Sequence, residues 1–484
     1  MNLFIKRSTP TLGLLGLLGL ASCQPDITDP KSSAGEANFA TYIAVGNSLT
    51  AGYSDNGLYL EGQQNSYPAI LAEQFAKVGG GNFVQPLFDG PNQFNGSGYL
   101  KITGFPNGSP TIAPETSNLA AISGSQAAGT SLLVKSTANN QNLGVPGIRV
   151  ADIQTPGYGF NNPLGFNNFF ERLLGTSNAT ATYQQYVQER VSTLKPTFFT
   201  NWLGNNDVLG YASSGGTAAP LTPVADFTAK YTAITGVLTG GGAKGLVATI
   251  PNVTNVPFFT TVPTAAVIAQ INATPIPTAL EPTIKVALGL PQTSPLPTGL
   301  RFGFYITAGT GTTATKRLAT SADLLLLTAQ SAINVPSTNP AQPFPSGVGL
   351  ELPGAPAATA AALAASSNAL ASSFVLDAAE ITAVQNRTTE LNNVITSVAN
   401  QNNLAIFDSN TFFNNVARTG IVVNAVNNSA AFVTGNLFSL DGVHPTPRGY
   451  AVVANEMIRA INATYRSAVP GVDPTRYRGV RFPN

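Results

Sequence analysis

The chain has 484 residues, of which 43% are hydrophobic and only 10% are charged, and its formal net charge is +1. This much apolar sequence can bury a large core, which excludes a disordered or fibrous protein. A nearly neutral chain has no basic field to hold phosphate groups, so a nucleic-acid-binding protein is excluded as well.

The amino terminus has the pattern of a secretory signal. Lys6 and Arg7 precede the apolar run from Leu12 to Leu20, which is too short to span a bilayer. The run ends in LASC, which resembles the bacterial lipobox, in which the cysteine receives a diacylglycerol and becomes the new amino terminus. We predict a signal peptide over residues 1–22 and lipidation of Cys23, the only cysteine. An ordinary signal peptide that happens to contain a cysteine is the alternative.

Loss of the signal would remove two cations and no acid, which changes the formal charge from +1 to −1. Several acyl chains on one residue would anchor the protein stably in a membrane. The polar residues 23–38 are interpreted as a flexible tether. Gln24 follows the cysteine where aspartate is associated with inner-membrane retention, so the pattern favours the outer membrane of the cell envelope.

Apolar strands and amphipathic helices alternate along the rest of the chain. This alternation predicts an α/β fold with three layers, α/β/α, around a central parallel sheet, in which ligands bind beyond the carboxyl ends of the strands. The predicted strands are Phe39–Val45, Asn82–Phe88, Thr197–Leu203, Gly245–Ile250 and Leu404–Phe407. The predicted helices are Tyr67–Lys77, Thr182–Leu194, Val224–Leu238 and Asp377–Asn400.

Two long segments interrupt this alternation within a domain assigned to residues 39–470. The segment 88–141 is rich in Gly, Asn and Ser, and the segment 256–373 is rich in Pro, Thr and Ala. Unstructured loops of this length are rare in compact domains, so we expect two ordered insertions or a lid. Within the second, Ala355–Ala371 is predicted to be helical, with a low-complexity linker as the alternative. Residues 471–484 form a C-terminal tail.

The sequence AVGNSLTAGY places Ser48 where the first predicted strand gives way to small residues. A serine at this position either caps the following helix or is a nucleophile at the edge of the sheet. Other catalytic patterns are absent: a single histidine excludes an HExxH zinc site, and no GxSxG elbow is present. The segment GGGAKG, residues 240–245, matches GxGxxG but precedes a strand, so it is interpreted as a turn.

The single histidine, His444, lies in LDGVHPTPRGY, three residues after Asp441. Thr446 and Pro447 form a good N-cap and first-turn pair, so the histidine is predicted to lie in a loop directly before a helix. Asp441 could orient one ring nitrogen while the other faces a nucleophile, as in a serine triad. A histidine that only caps a loop is the alternative for this short motif.

Two further segments could supply hydrogen-bond donors. The predicted strand in FFTNWLGNND ends in Asn205, Asn206 and Asp207, where a side-chain amide could face a developing oxyanion. In NLGVPG, Gly147 could offer an unobstructed backbone N–H. Each segment alone is also compatible with an ordinary turn.

Taken together, GNSLTAG, NLGVPG, GNND and DGVH resemble the four sequence blocks of the SGNH (GDSL-type) hydrolases, in the same order. The resemblance covers about residues 39–88, 142–255 and 375–465, and it departs from the family at Asn47, where aspartate is usual. It implies a flavodoxin-like SGNH fold, an ester hydrolase without a cofactor or metal, and roles for five residues. These are Ser48 as nucleophile, His444 as general base, Asp441 as its orienting group, and the Ser48 N–H, the Gly147 N–H and the Asn206 amide as the oxyanion hole.

The sequence therefore predicts a lipid-anchored serine esterase whose activity rises as His444 loses its proton. A non-catalytic surface lipoprotein on the same scaffold is the alternative, because the insertions could block the cleft. The substrate class stays open between lipid esters and acylated glycans. The apolar run Leu324–Leu327 would favour lipids if it lined the cleft, but it is more typical of buried core. We expect a monomer that does not bind nucleic acid.

Overall fold

The computed structural model describes residues 32–122, 131–160, 166–175, 180–339 and 343–483. The predicted signal peptide and Cys23 lie outside these residues. None of the helices in this part of the chain has both the length and the apolarity that crossing a bilayer requires.

The strands of the described residues fall into one parallel sheet and several small antiparallel pairings. Their bounds are β1 Tyr42–Gly46, β2 Tyr99–Gly104, β3 Thr111–Glu115, β4 Ala121–Ile122, β5 Leu132–Leu133, β6 Phe198–Trp202, β7 Lys244–Ala248, β8 Arg301–Ala308, β9 Thr315–Leu318, β10 Leu324–Leu325, β11 Val348–Glu351, β12 Val375–Leu376, β13 Ala405–Phe407, β14 Ile421–Val423 and β15 Val426–Asn428.

The α-helices lie mostly between these strands. Their bounds are α1 Ser48–Ala51, α2 Leu60–Gln64, α3 Tyr67–Ala76, α4 Asn168–Glu171, α5 Tyr183–Leu194, α6 Asn206–Ala212, α7 Val224–Thr239, α8 Pro257–Thr260, α9 Thr264–Ala273, α10 Glu281–Ala287, α11 Ala357–Ser366, α12 Ala378–Gln401, α13 Ser409–Thr419 and α14 Pro447–Tyr465.

The central sheet has four parallel strands in the order β1-β6-β7-β13. Each of the first three is followed by at least one helix before the next strand of the sheet, which is the crossover that parallel pairing requires. The protein is thus a mixed α/β protein with a central parallel sheet, as the alternation predicted. Four of the five predicted strands are confirmed, and the predicted turn at Gly240–Gly245 leads directly into β7.

The predicted strand Asn82–Phe88 is wrong. This segment forms no strand; Val84 pairs instead with Gln141, whose backbone and side chain both bond to the Val84 backbone. The chain at Gln141–Leu143 instead lies beside β1, because Ala44 exchanges hydrogen bonds with Gln141 and Leu143. The segment NLGVPG therefore starts at the edge of the central sheet, next to the strand that leads to Ser48.

Side chains of β1 alternate between two apolar clusters, as the period of a strand requires. Ile43 and Val45 belong to a cluster with residues of α5, α7 and α12. Tyr42 and Ala44 belong to a second cluster with residues of α3 and α14. All five β1 residues are buried, which explains why the sequence is apolar at every position rather than alternating.

The predicted helices are confirmed with small shifts at their ends. In the Ala-rich segment 355–371 the helix is α11, which covers only Ala357–Ser366. The helix after His444, α14, begins as its sequence indicates. The Thr446 hydroxyl accepts a hydrogen bond from the Gly449 N–H, and Pro447 occupies the first turn. Its apolar face, Tyr450, Val453, Ala454, Met457 and Ile461, is fully buried against the sheet.

Both long segments contain regular elements in their described parts. Residues 88–141 include the hairpin β2–β3 and the short pair β4–β5. Residues 256–373 form the sheet β11-β8-β9 with α9 to α11, around an apolar cluster of their own. In the run Leu324–Leu327, Leu325 and Leu326 are fully buried in apolar clusters, which confirms the interpretation as core for these two. Leu324 and Leu327 are half-buried.

The described part of the predicted tether, residues 32–38, is packed onto the domain instead of being free. Ser33 pairs with Ala468, and the Glu36 N–H donates to the Tyr465 carbonyl at the end of α14. Ala37 is buried, because it belongs to the same apolar cluster as α14. The C-terminal tail is also held, since Arg478 forms a bidentate ion pair with Glu61.

Candidate active site

Ser48 is the first residue of the short helix α1, directly after β1. The Asn47 side chain caps this helix by accepting a hydrogen bond from the Leu49 N–H at 3.1 Å. Only 6% of Ser48 is exposed. Its Oγ lies 2.8 Å from Nε2 of His444, although the two residues are 396 positions apart in the sequence. The serine is therefore paired with a base, which a simple helix cap would not need.

His444 is held on its other side by Asp441. The Nδ1 atom of the ring lies 2.8 Å from Oδ2 of Asp441, so the carboxylate fixes the tautomer whose Nε2 can accept a proton from Ser48. The second carboxylate oxygen accepts hydrogen bonds from the backbone N–H groups of Val443 and His444, each at 2.8 Å. The structure thus brings the three predicted triad residues together in the order nucleophile, base, orienting group.

About 10% of the Asp441 side chain is exposed, and its burial by itself would raise the pKa of its carboxyl group. The charge of His444, the hydrogen bond from its ring and the bonds from the backbone outweigh burial, and they lower the pKa to about 2. Asp441 is therefore a carboxylate under all ordinary conditions. Its position beside the imidazole stabilises the imidazolium that forms when the base takes a proton.

A tight turn, Ser54–Gly57, contacts the loop that carries Asp441 and His444. Asp55 and Asn56 both have left-handed backbones, with φ of 52° and 61°. This conformation directs the Asn56 N–H to Oδ2 of Asp441 at 2.8 Å. Asp55 makes two further bonds to the loop, from its N–H to the Ser439 hydroxyl and from the Leu440 N–H to its carboxylate. The sequence analysis did not identify this turn, whose only signal is the turn-forming DNG.

Asn206 lies close to Gly147, because its side chain is hydrogen-bonded to Ile148, the residue that follows Gly147. The Asn206 side-chain amide donates to the Ile148 carbonyl at 2.9 Å, which leaves its second N–H free of that bond. Gly147 has a φ of 83°, in the region that favours glycine. Across the described residues, the backbone N–H groups of Ser48 and Gly147 make no hydrogen bond. These three donors are the ones expected for an oxyanion hole.

Asp207, which the sequence analysis left without a role, fixes this arrangement. Its carboxylate accepts hydrogen bonds from the backbone N–H groups of Val150 and Ala151 and from the Thr222 hydroxyl. Burial raises the pKa of the carboxyl group to about 6, although these three hydrogen bonds oppose the shift. Asp207 therefore joins the start of α6, which carries Asn206, to the chain just after Gly147.

Some buried amide atoms at the site have no hydrogen-bond partner within the described residues. They are Nδ2 of Asn47 and both polar side-chain atoms of Asn205. Asn205 and Asn206 both border the cleft at Ser48, so the sequence pair NN places two amides there, of which only the second is hydrogen-bonded.

A cleft of about 40 Å³ opens beside Ser48 and His444. The rest of its wall consists mainly of apolar side chains, together with Asn47, Asn205 and Asn206. The apolar wall residues are Leu49, Leu209, Pro251, Val253, Val256 and Val443. Across the described ranges, no cluster of three or more His, Cys, Asp or Glu side chains could hold a metal ion.

Comparison with known proteins gives no family for this chain. No protein-family model matches the sequence, and no curated protein matches it either.

Proposed function

We propose that the protein is a serine esterase of the SGNH (GDSL-type) class, with a three-layer α/β/α fold, that hydrolyses carboxylic esters through an acyl-enzyme on Ser48. The observation that carries this proposal is the chain of two 2.8 Å contacts from Ser48 Oγ through His444 to Asp441. The order of the four sequence blocks supports it independently. Asn47 keeps the acceptor role of the usual aspartate, because its Oδ1 caps α1.

In the first half-reaction, Ser48 Oγ attacks the ester carbonyl carbon while its proton passes to Nε2 of His444. The negative charge that forms on the carbonyl oxygen is stabilised by the Ser48 N–H, the Gly147 N–H and the Asn206 amide. The carbon–oxygen bond to the alcohol then breaks, and His444 donates its proton to the departing alcohol. A water molecule, deprotonated by His444, then attacks the acyl carbon. The bond from this carbon to Ser48 Oγ breaks, and His444 returns the proton to Oγ as the acid leaves.

The proposed nucleophile can be tested with methanesulfonyl fluoride, a small reagent that sulfonylates activated serines. Intact-mass analysis of the protein from Gln24 onward should show one methylsulfonyl adduct. The variants Ser48→Ala and His444→Ala, with unchanged thermal unfolding, should show none. An unlabelled wild-type protein, or labelling that persists in Ser48→Ala, would contradict the proposal; the first result would favour the binding-lipoprotein alternative.

The proposal includes a lipid anchor on Cys23, in the cell envelope and most simply in the outer membrane. It is supported by the lipobox-like LASC and by the absence of any other cysteine in the sequence. In a bacterial host, the full chain should partition into the detergent phase of a phase-separating detergent and incorporate labelled palmitate. The variant Cys23→Ser should partition into the aqueous phase, and equal behaviour of both proteins would contradict the anchor.

A further inference from the structure

The cleft beside Ser48 limits the size of the group that can bind there. Its volume is about 40 Å³, a few times the roughly 10–15 Å³ that one water molecule needs. The cleft is therefore small, on the scale of a short acyl group such as acetyl or propionyl. Its apolar walls suit a short alkyl group rather than a charged or hydroxylated one.

Residues 251–256 form one wall of the cleft, and hydrogen bonds fix this wall at its amino-terminal end. The Asn392 side chain bonds to both the N–H and the carbonyl of Ile250, at 2.7 and 2.9 Å, and Asn410 donates to the same carbonyl. Asn252 caps the turn that follows by accepting from the Thr254 N–H. The wall therefore cannot shift without breaking these hydrogen bonds.

The other end of the wall is tied to the catalytic loop. The Phe258 N–H, at the start of α8, donates to the Gly442 carbonyl at 2.9 Å. Gly442 lies between Asp441 and His444, so this bond sets the distance between the wall and the base. Val253 and Val256 are 3% and 7% exposed and belong to the main apolar cluster, so an acyl chain could extend in their direction only by displacing packed side chains.

We infer that this pocket holds the acyl group of the substrate and that Val253 and Val256 restrict the enzyme to short acyl esters, such as acetates and propionates. The inference rests on the proposed esterase function. The acyl group, not the alcohol, is assigned to the pocket because the alcohol must leave past His444 while the acyl group stays bound to Ser48. The pocket also borders Asn206, whose amide is proposed to bind the acyl oxygen.

The test is a series of p-nitrophenyl esters from acetate to octanoate, which share one leaving group and differ only in the acyl chain. We expect kcat/KM to be at least about tenfold higher for acetate than for octanoate, since one misfitted methylene can cost roughly tenfold or more. The variants Val253→Ala and Val256→Ala should each raise the hexanoate-to-acetate ratio at least about fivefold. A flat or rising chain-length profile in the wild type would overturn the inference.

Val187→Ala is the matched control, because Val187 is a fully buried valine of α5 in the same apolar cluster but outside the pocket wall. It should lower stability while leaving the hexanoate-to-acetate ratio unchanged. A ratio that is unchanged in both wall variants would also overturn the inference. Labelling of Ser48 by methanesulfonyl fluoride separates the two proposals: a labelled enzyme with a flat profile is an esterase without this specificity, whereas an unlabelled protein contradicts the esterase itself.

Discussion

The loop that carries Asp441 and His444 differs from the amide groups near Ser48 in how completely its polar atoms are paired. Both Asp441 oxygens and both His444 ring nitrogens have hydrogen-bond partners. Asn47 and Asn205, by contrast, have buried amide atoms without a partner in the part of the chain that the structure describes.

In the proposed mechanism, this difference corresponds to two tasks. A general base must already be oriented in the resting enzyme, so its bonds are made in advance. Donors that stabilise an oxyanion contribute to rate only if they bind the transition state better than the substrate, so they should have donor capacity left. The second N–H of Asn206 and the backbone N–H groups of Ser48 and Gly147 meet that condition. Substitutions in the loop of Asp441 and His444 and substitutions at the oxyanion donors should therefore have separable effects.

The largest effect is expected for Ser48→Ala, which removes the proposed nucleophile. Both the Asp441–His444 loop and the oxyanion donors act on the reaction of this serine. The rate of ester hydrolysis should fall by about 10⁴-fold or more, because no acyl-enzyme can form without it. Steady-state kinetics with p-nitrophenyl acetate measures this. An activity within tenfold of wild type would place the nucleophile elsewhere.

Asp441→Asn should remove the carboxylate that orients His444 while keeping the shape of the side chain. We expect kcat to fall by about 10³-fold, because an amide can present the wrong hydrogen-bonding group to the imidazole. Kinetics at constant pH, with circular dichroism to confirm folding, measures the loss. A loss below tenfold would show that the orientation of His444 does not depend on this carboxylate.

The same variant should change stability in acid. In the folded protein the pKa of Asp441 is about 2, below its ordinary value of 3.8. A lowered pKa means that the ionised group contributes stability above pH 3.8 and that this contribution is lost as the pH falls toward 2. It is on the order of 2 kcal/mol. Urea unfolding should show a steeper loss of stability below about pH 4 in wild type than in Asp441→Asn, and equal slopes would contradict the assignment.

Asn206→Ala and Asn205→Ala test which of these two neighbouring amides is the oxyanion donor. Removal of the Asn206 amide should lower kcat by about 10²-fold, the usual loss for one oxyanion-hole donor, with little change in KM. Asn205→Ala should cost less, because its buried amide makes no bond that would position it. A larger loss of kcat in Asn205→Ala than in Asn206→Ala would reverse the assignment of the donor.

The smallest effect is expected at the turn that supports Asp441. Asp55→Ala removes the acceptor for the Leu440 N–H and for the Tyr59 hydroxyl, and we expect kcat to fall roughly tenfold with KM nearly unchanged, since each lost hydrogen bond is worth about 1 kcal/mol. Asn56→Gly is the control, because glycine keeps the backbone donor to Asp441 and tolerates the left-handed conformation. Its activity should stay within about twofold of wild type; a wild-type kcat in Asp55→Ala would show that the turn has no positioning role.

Much of the local structure could be predicted from the sequence. The strands β1, β6, β7 and β13 are short apolar runs that end in polar or small residues. The start of α14 is indicated by its N-cap Thr446 and by Pro447 in its first turn. Local patterns of this kind reflect backbone preferences and burial periodicity, which act within a few residues. The segment Asn82–Phe88 shows the limit of such prediction, because an apolar run does not determine which segment it will pair with.

The sequence also named the residues of the site, but it could not give their distances. Only the fold shows that His444 lies 2.8 Å from Ser48 and that the turn at Asp55 and Asn56 supports Asp441. The size of the proposed acyl pocket depends in the same way on where residues 251–256 pack against the loop that carries Asp441 and His444. These features are contacts between segments up to about four hundred residues apart, and such contacts follow from the packing of the whole core rather than from any local preference.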